Sequence, residues 1–279
     1  GNLMNFSFIQ MADPQFGMFS SISKLSKSEV IARKNRGINV TYSEKELEGF
    51  EKETELFTKA IEAANESSPA FVVVCGDMVH DPESTEQLEE LLRVSNLLRE
   101  DIKLYWVPGN HDVGDKPTTA SLGKYKDRFG EYNYSFREEN CYYIVLNSAI
   151  CYDPELVPDE WDTLISFLRK ELETASGSNI THKIIFMHHP LYLNEPNEDD
   201  NYFVIPLQRR SIILDLLAKH EVTAVCTGHL HKNNYKNFGT TELISTGSVG
   251  YPLGKDPSGI RIIELTDTRI SHRHLSLES

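Results

Sequence analysis

Cysteine is scarce in this chain: Cys75, Cys141, Cys151 and Cys226 are the four in 279 residues. Four are too few for a disulfide scaffold, and no two are spaced like paired zinc thiolates. Cys75 and Cys226 close apolar runs, so the cysteines read as packing residues. Long apolar runs are missing too. Segments such as Phe71 to Cys75 and Ile184 to Met187 fall far short of the roughly 18 residues that a membrane-spanning helix requires, which excludes such a helix. Positive charge is the third shortage, 28 Lys plus Arg against 42 Asp plus Glu, for a net charge of −14. That field opposes sequence-independent binding to polyanions, so no nucleic-acid partner is expected. Internal repeats and Pro/Gly-rich linkers are also lacking, so residues 1–279 read as a single domain, expected to be monomeric. The chain opens at Gly1 rather than Met, which reads as a tag remnant. A leader removed ahead of it would mean export and its absence the cytoplasm, so the compartment stays open.

What is present is an ordinary globular composition, 39% hydrophobic and 10% aromatic, enough to bury a substantial core. Short β-branched or aromatic runs recur at Phe6 to Ala12, Phe71 to Cys75, Lys103 to Val107, Cys141 to Asn147, Lys183 to Met187, Thr223 to Cys226, Glu242 to Ser245 and Gly259 to Leu265. Helical periodicity lies between them: Leu47, Phe50, Phe57, Ile61 and Ala64 share one face, and similar faces come from Leu88 to Leu98, Trp161 to Leu172 and Ile212 to Leu217. This alternation predicts a layered α/β protein. The later runs lie close together with glycines between them, which adds antiparallel pairs and makes the sheet mixed. Ser20 to Ser43 and the acidic stretch Asn194 to Asn201 read as long loops, the second either a solvated loop or a lid over a site.

The informative feature is where polar residues fall relative to the strands. Successive apolar runs end in Asp13-Pro14-Gln15, Gly76-Asp77, Gly109-Asn110-His111-Asp112, His188-His189 and Gly228-His229-Leu230-His231. In open α/β sheets, loops at the carboxyl ends of strands converge on one edge. Carboxylate, amide oxygen and imidazole together suit first-row divalent metals. Each cluster alone is as easily a turn or a cap; their joint occurrence at strand ends points to a metal site. Arg209 and Arg210 either contact a phosphate or simply cap a helix face.

In that order the clusters resemble the signature of the calcineurin-like metallophosphoesterase superfamily: Asp-x-His, Gly-Asp, Gly-Asn-His-Asp/Glu, His and Gly-His-x-His. The resemblance runs from about Asp13 to His231 and departs at Gln15, where the family usually has His. Ala12 to Gly17, Leu146 to Ser148, Glu198 to Phe203 and Gly254 to Gly259 are similar to a single-domain branch found in animals that acts on phosphoserine and phosphothreonine in proteins.

The resemblance implies a four-layer αββα sandwich and two divalent ions, of manganese, iron, magnesium or zinc. One would be held by Asp13, Asp77 and His231 with Gln15 in the usual His position, the other by Asp77, Asn110, His188 and His229. Gln15 either offers its amide oxygen or stands behind the ligands; as a ligand it would tilt its site away from zinc. His189 is read as structural. The implied reaction is in-line attack on a phosphoester by a metal-bridging hydroxide, with His111 protonating the leaving group and Asp112 accepting the other ring proton of His111. A phosphorylated protein or small phosphoester is the expected substrate; a phosphodiesterase or a non-catalytic metal-binding module are the alternatives.

Overall fold

The computed structural model of the chain describes residues 5–278; Gly1 lies outside them. In chain order the elements are β1 (Asn5–Met11), α1 (Met18–Ser23), α2 (Lys27–Asn35), α3 (Glu51–Ser67), β2 (Phe71–Cys75), α4 (Thr85–Ser95), β3 (Lys103–Val107), α5 (Asn110–Val113) and α6 (Thr119–Phe129). They continue with β4 (Tyr134–Glu138), β5 (Cys141–Val145), α7 (Ser148–Tyr152), α8 (Pro158–Ser176), β6 (His182–Phe186), α9 (Leu207–Lys219), β7 (Ala224–Thr227), β8 (Asn234–Phe238), β9 (Thr241–Ser245), β10 (Gly259–Thr266) and β11 (Ile270–Ser276).

Two mixed sheets result. One has the order β11-β10-β1-β2-β3, the other β4-β5-β6-β7-β9-β8. In the first, β1, β2 and β3 are parallel. In the second, β5, β6, β7 and β9 are parallel, so each sheet sends its carboxyl-end loops to one edge. Strand alternation builds the layers. Phe71, Val73 and Cys75 point into a core shared with Tyr143, Ile184, Phe186 and Cys226 of the other sheet. Val72 and Val74 point the other way, into a core formed with Phe57, Ile61, Leu91 and Val94 of α3 and α4. Helices therefore cover both outer faces, and the αββα sandwich implied by the resemblance is the fold.

Two features differ from the sequence reading. Ser20 to Ser43 is not a loop throughout: it contains the end of α1 and all of α2. The reciprocal Ser26/Glu29 cap starts α2, and Met18, Ile22, Val30, Val40 and Leu253 form a small core beneath it. Few apolar residues serve that core, so periodicity is weak there. The strands β4, β8 and β11 were also missed, each lying at or next to a sheet edge, where half-exposed polar residues replace the apolar signature.

Phe71 is fully buried, stacks on Phe8 at 4.7 Å and meets Tyr143 edge-on at 4.9 Å. Phe71→Ala should cost about 3–5 kcal/mol in urea unfolding. A loss below about 1 kcal/mol would show that this aromatic cluster does not hold the sheets together.

Candidate metal centre

The site is built where the two sheets meet at their carboxyl edges. Among the described residues nine non-glycine residues have positive φ, and five of them are Asp13, Gln15, Asp77, His229 and His231. That conformation costs on the order of 1–3 kcal/mol per residue, so it persists only where surrounding bonds enforce it. The Asp13 amide donates to the Gly76 carbonyl at 3.0 Å, and the Gln15 amide to the Asp77 carbonyl at 2.9 Å. The His229 amide donates to Asp13 Oδ2 at 3.0 Å, tying β7 to β1 across the sheets. Glycine is obligatory between these loops: a Cβ on Gly76 would stand 2.3 Å from His188 Nδ1, and one on Gly109 2.3 Å from the Asp77 amide nitrogen.

The side chains named from the sequence converge. Oxygen and nitrogen atoms of Asp13, Asp77 and His231 lie within 4.8 Å of one another, and so do those of Asp77, His188 and His229. Asp77 belongs to both groups. Each histidine is oriented by a backbone carbonyl. His188 Nδ1 donates to Cys75 at 2.7 Å, His231 Nδ1 to Tyr251 at 2.6 Å, and His229 Nε2 faces Tyr202 at 3.5 Å. The opposite ring nitrogen is thereby left for an ion, as carbonyl partners behind metal-bound histidines do elsewhere. Four buried atoms of this set have no hydrogen-bond partner: Asp13 Oδ1, Gln15 Oε1, Asn110 Oδ1 and His188 Nε2. Buried polar atoms are almost always paired, and these four, on the residues that gather at the seam, are of the oxygen and nitrogen type that suits a divalent cation.

Gln15 is 2% exposed and donates from Nε2 to His80 Nδ1 at 3.0 Å, which turns its oxygen toward the other donors. Asn110 is arranged in the same way: Nδ2 donates to Asp115 at 3.0 Å and to the Tyr202 hydroxyl at 3.2 Å, leaving Oδ1 free.

Electrostatics follow from burial and proximity. Burial drives Asp13 well above the usual carboxylate range, with the neighbouring Asp77 adding to the effect and His188 opposing it. Burial works the same way on Asp77, but His188, His111 and His229 outweigh it and hold Asp77 ionised far below its ordinary range. Burial acts against a proton on His188 as well, yet Asp77 and Asp13 raise it to about 10; His188 Nε2 lies 3.2 Å from Asp77 Oδ2. His231 is lowered to about 4 by burial, and His229 falls well below its usual value for the same reason, so both rings are neutral at pH 7 and each can offer a lone pair.

Asp112 requires a correction. Its carboxylate does not accept a ring proton from His111. It accepts the Asp77 and Gly109 amides at 2.8 Å each and the Met78 amide at 3.1 Å. The His111 Nδ1 proton goes to the His80 carbonyl at 2.8 Å, and the two imidazoles stack at 4.8 Å. With Nδ1 so engaged, Nε2 is the nitrogen available to substrate. The amide of His111, at 2.8 Å, binds Asp77 Oδ1.

Other sequence readings resolve as follows. His189 accepts from the Ser148 hydroxyl at 2.7 Å and belongs to neither donor group. Arg209 and Arg210 line no part of the central cavity. Arg209 donates to the carbonyls of Cys151 and Tyr152; Arg210, fully buried, donates to those of Ile205, Pro196 and Glu198. The acidic stretch is a largely exposed loop that Arg210 pins at two carbonyls, and it leads into Tyr202 and Phe203 beside His229, with ring centres 5.2 and 5.7 Å away. His80 was missed, although its place three residues after Asp77 was a usable signal.

A family model described as Calcineurin-like phosphoesterase matches residues 7–233. The chain belongs to the calcineurin-like phosphoesterase family. Such a phosphoesterase implies divalent metal ions, and the orphaned donors fit them. Serine/threonine-protein phosphatase CPPED1 of Rattus norvegicus is 32% identical over 279 residues, 98% of this chain and 84% of the rat protein. The protein of that name from Bos taurus is 33% identical with the same coverage. Among solved structures, a dimetal phosphatase from Danio rerio has a TM-score of 0.64 at 14% identity, covering 98% of this chain and 99% of that one. A purple acid phosphatase, PPD1 from yellow lupin, reaches 0.67 at 11% identity, covering 100% and 52%. At these identities the structural likeness speaks for the fold alone.

Loading this phosphoesterase with metal must displace protons, because His188 is protonated near pH 8 in the metal-free protein and Asp13 is raised. Manganese titration by calorimetry in buffers of different ionisation enthalpy should show release of roughly one to two protons, and affinity should rise with pH. Heats that do not depend on the buffer would refute this charge arrangement.

Proposed function

We propose that this phosphoesterase is a serine/threonine protein phosphatase using two divalent ions. The observation that carries the metal-dependent part is the set of four unpaired buried donor atoms at the seam between the sheets. The substrate class is supported by the relatives named serine/threonine-protein phosphatase, which match nearly the whole chain. In this reading Asp13, Gln15, Asp77 and His231 hold one ion, and Asp77, Asn110, His188 and His229 the other. Asp77 belongs to both groups, and a carboxylate has two oxygens with which it could serve both ions. The amide oxygen of Gln15 in place of an imidazole favours manganese, magnesium or iron over zinc. When bound, the ions supply Lewis acidity toward the phosphoryl oxygens and a nucleophile at neutral pH.

The chain's own residues do the rest. The His111 amide keeps one oxygen of Asp77 in place. The ring of His111, fixed by the His80 carbonyl and stacked on His80, gives a proton from Nε2 to the departing serine or threonine oxygen. Tyr202 and Phe203 wall one side of the cavity and limit the water that reaches the phosphoryl group. Asp112 acts on the loops and not on the proton. Residues 1–279 act as one catalytic unit, since both sheets contribute ligands. The net charge of −14 supports a substrate other than nucleic acid.

The manganese-loaded protein should release phosphate from phosphoserine and phosphothreonine peptides and cleave p-nitrophenyl phosphate well above bis-p-nitrophenyl phosphate. Preference for the diester would favour the phosphodiesterase alternative, and no turnover of either the binding module. His111→Ala should lower kcat by roughly 10²–10⁴ with metal content unchanged, because the ring moves the proton while the backbone amide holds Asp77. Parallel loss of metal would remove that role from His111.

A further inference from the structure

The central cavity, about 230 Å³, holds more than the ligands and His111: Arg33 and Arg36 of the α2 region also line it. Among the described residues neither guanidinium has an ion-pair or hydrogen-bond partner, whereas Arg93, Arg99, Lys116 and Lys124 all pair with carboxylates. Glu29, one turn earlier, feels Arg33 only at longer range. Arg33 is half-buried and Arg36 exposed. Their fields reach different walls of the site: Arg33 acts on His80, and Arg36 on Tyr152. The helix is not loosely attached. It starts at the Ser26/Glu29 cap, and Val30 sits in the small core with Met18, Ile22 and Leu253. Phe203 lies against Gly37 just beyond it, 3.6 Å from where a Cβ would be. Other cations of the chain also lack ion-pair partners among the described residues, but Arg33 and its neighbour Arg36 at the end of α2 are the arginines that line the central cavity.

We propose that Arg33 and Arg36 form a second anion site that selects phosphopeptides carrying another negative group next to the phosphorylated residue. This rests on the serine/threonine phosphatase reading and specifies its substrate class. Arginine suits the task because its planar fork binds carboxylate and phosphate oxygens in pairs and stays charged at every working pH. The ions and His111 answer to the scissile phosphoryl group, so guanidinium groups on a separate element are free for a neighbouring anion. Asp115 also lines the cavity; it accepts from Asn110 Nδ2 at 3.0 Å and forms no ion pair with either arginine among the described residues. The neighbouring anion is a glutamate or aspartate side chain or a second phosphoryl group; both present the same oxygen geometry.

Three phosphoserine peptides, identical except for flanking glutamine, glutamate or a second phosphoserine, distinguish these sources. With manganese-loaded wild type, kcat/KM should be about tenfold or more higher for at least one anionic peptide than for the glutamine peptide, as one or two charge-assisted hydrogen bonds provide. Raising the salt concentration should shrink that ratio. In the Arg33→Gln, Arg36→Gln double variant the ratio should fall close to one. Metal content and thermal unfolding should match wild type, since neither side chain bonds to the fold among the described residues. A wild-type ratio near one overturns the proposal, and so does an unchanged ratio in the variant. An equal loss on all three peptides also overturns it, by placing the arginines on the scissile phosphate. If wild type cleaves p-nitrophenyl phosphate but no peptide, the serine/threonine reading itself fails and takes this inference with it.

Discussion

The buried carboxylate of Asp112 joins the loops on which the centre rests. It gathers amides from the turn after β2 and the turn after β3, and so holds Asp77 in a left-handed conformation that an L-residue otherwise avoids. Once Asp77 is fixed, its own oxygens are committed, one to the His111 amide and the other beside His188. His188 in turn is aimed by the Cys75 carbonyl, at the end of the same strand that delivers Asp77. The chain of dependence runs from an anion far from substrate, through backbone, to the reacting groups. Burial raises Asp112 to about 7, with the nearby Asp77 charge adding to that and the amides opposing it. The amides are what make an acceptor tolerable at 6% exposure.

Much of this was legible in the sequence because metal chemistry demands particular residues at particular strand ends. Asp13, Asp77, Asn110, His188, His229 and His231 could be placed together before any coordinates, since parallel strands deliver their following loops to one edge. The layered fold was equally readable from alternating apolar runs. What escaped were contacts that depend on orientation. The Asp-His adjacency of Asp112 and His111 suggested a side-chain pair, but the helical turn of α5 sends the carboxylate back to the loops and the ring to His80. The α2 helix escaped because its core is small and its remaining positions are polar. For Arg209 and Arg210 charge alone left phosphate contact and a helix cap both open; Arg210 is buried and has no surface to offer a phosphate.

Gln15 shows how a departure from a motif can be absorbed. An amide can present either its oxygen or its nitrogen, and an unconstrained one would gain nothing by choosing. His80 removes the choice, because its Nδ1 accepts a hydrogen bond from the amide nitrogen. The same imidazole stacks on His111 and offers it a carbonyl. One residue therefore links the altered position to the proton-transfer position.

The seam between the sheets also sets an order of events during synthesis. The donors begin at Asp13 and end at His231, with β1 to β3 supplying oxygen and β6 and β7 supplying the imidazoles. A ribosome-bound chain that has emerged only through β5 already carries the carboxylates and the amide oxygens but none of the nitrogen ligands. Its first sheet also lacks β10 and β11, the last two strands of the chain, of which β10 pairs beside β1 along its length. An ion that meets the growing chain finds an open carboxylate surface of the kind that binds hard cations weakly and exchanges them quickly. Selection among metals is thereby deferred to the moment the second sheet docks.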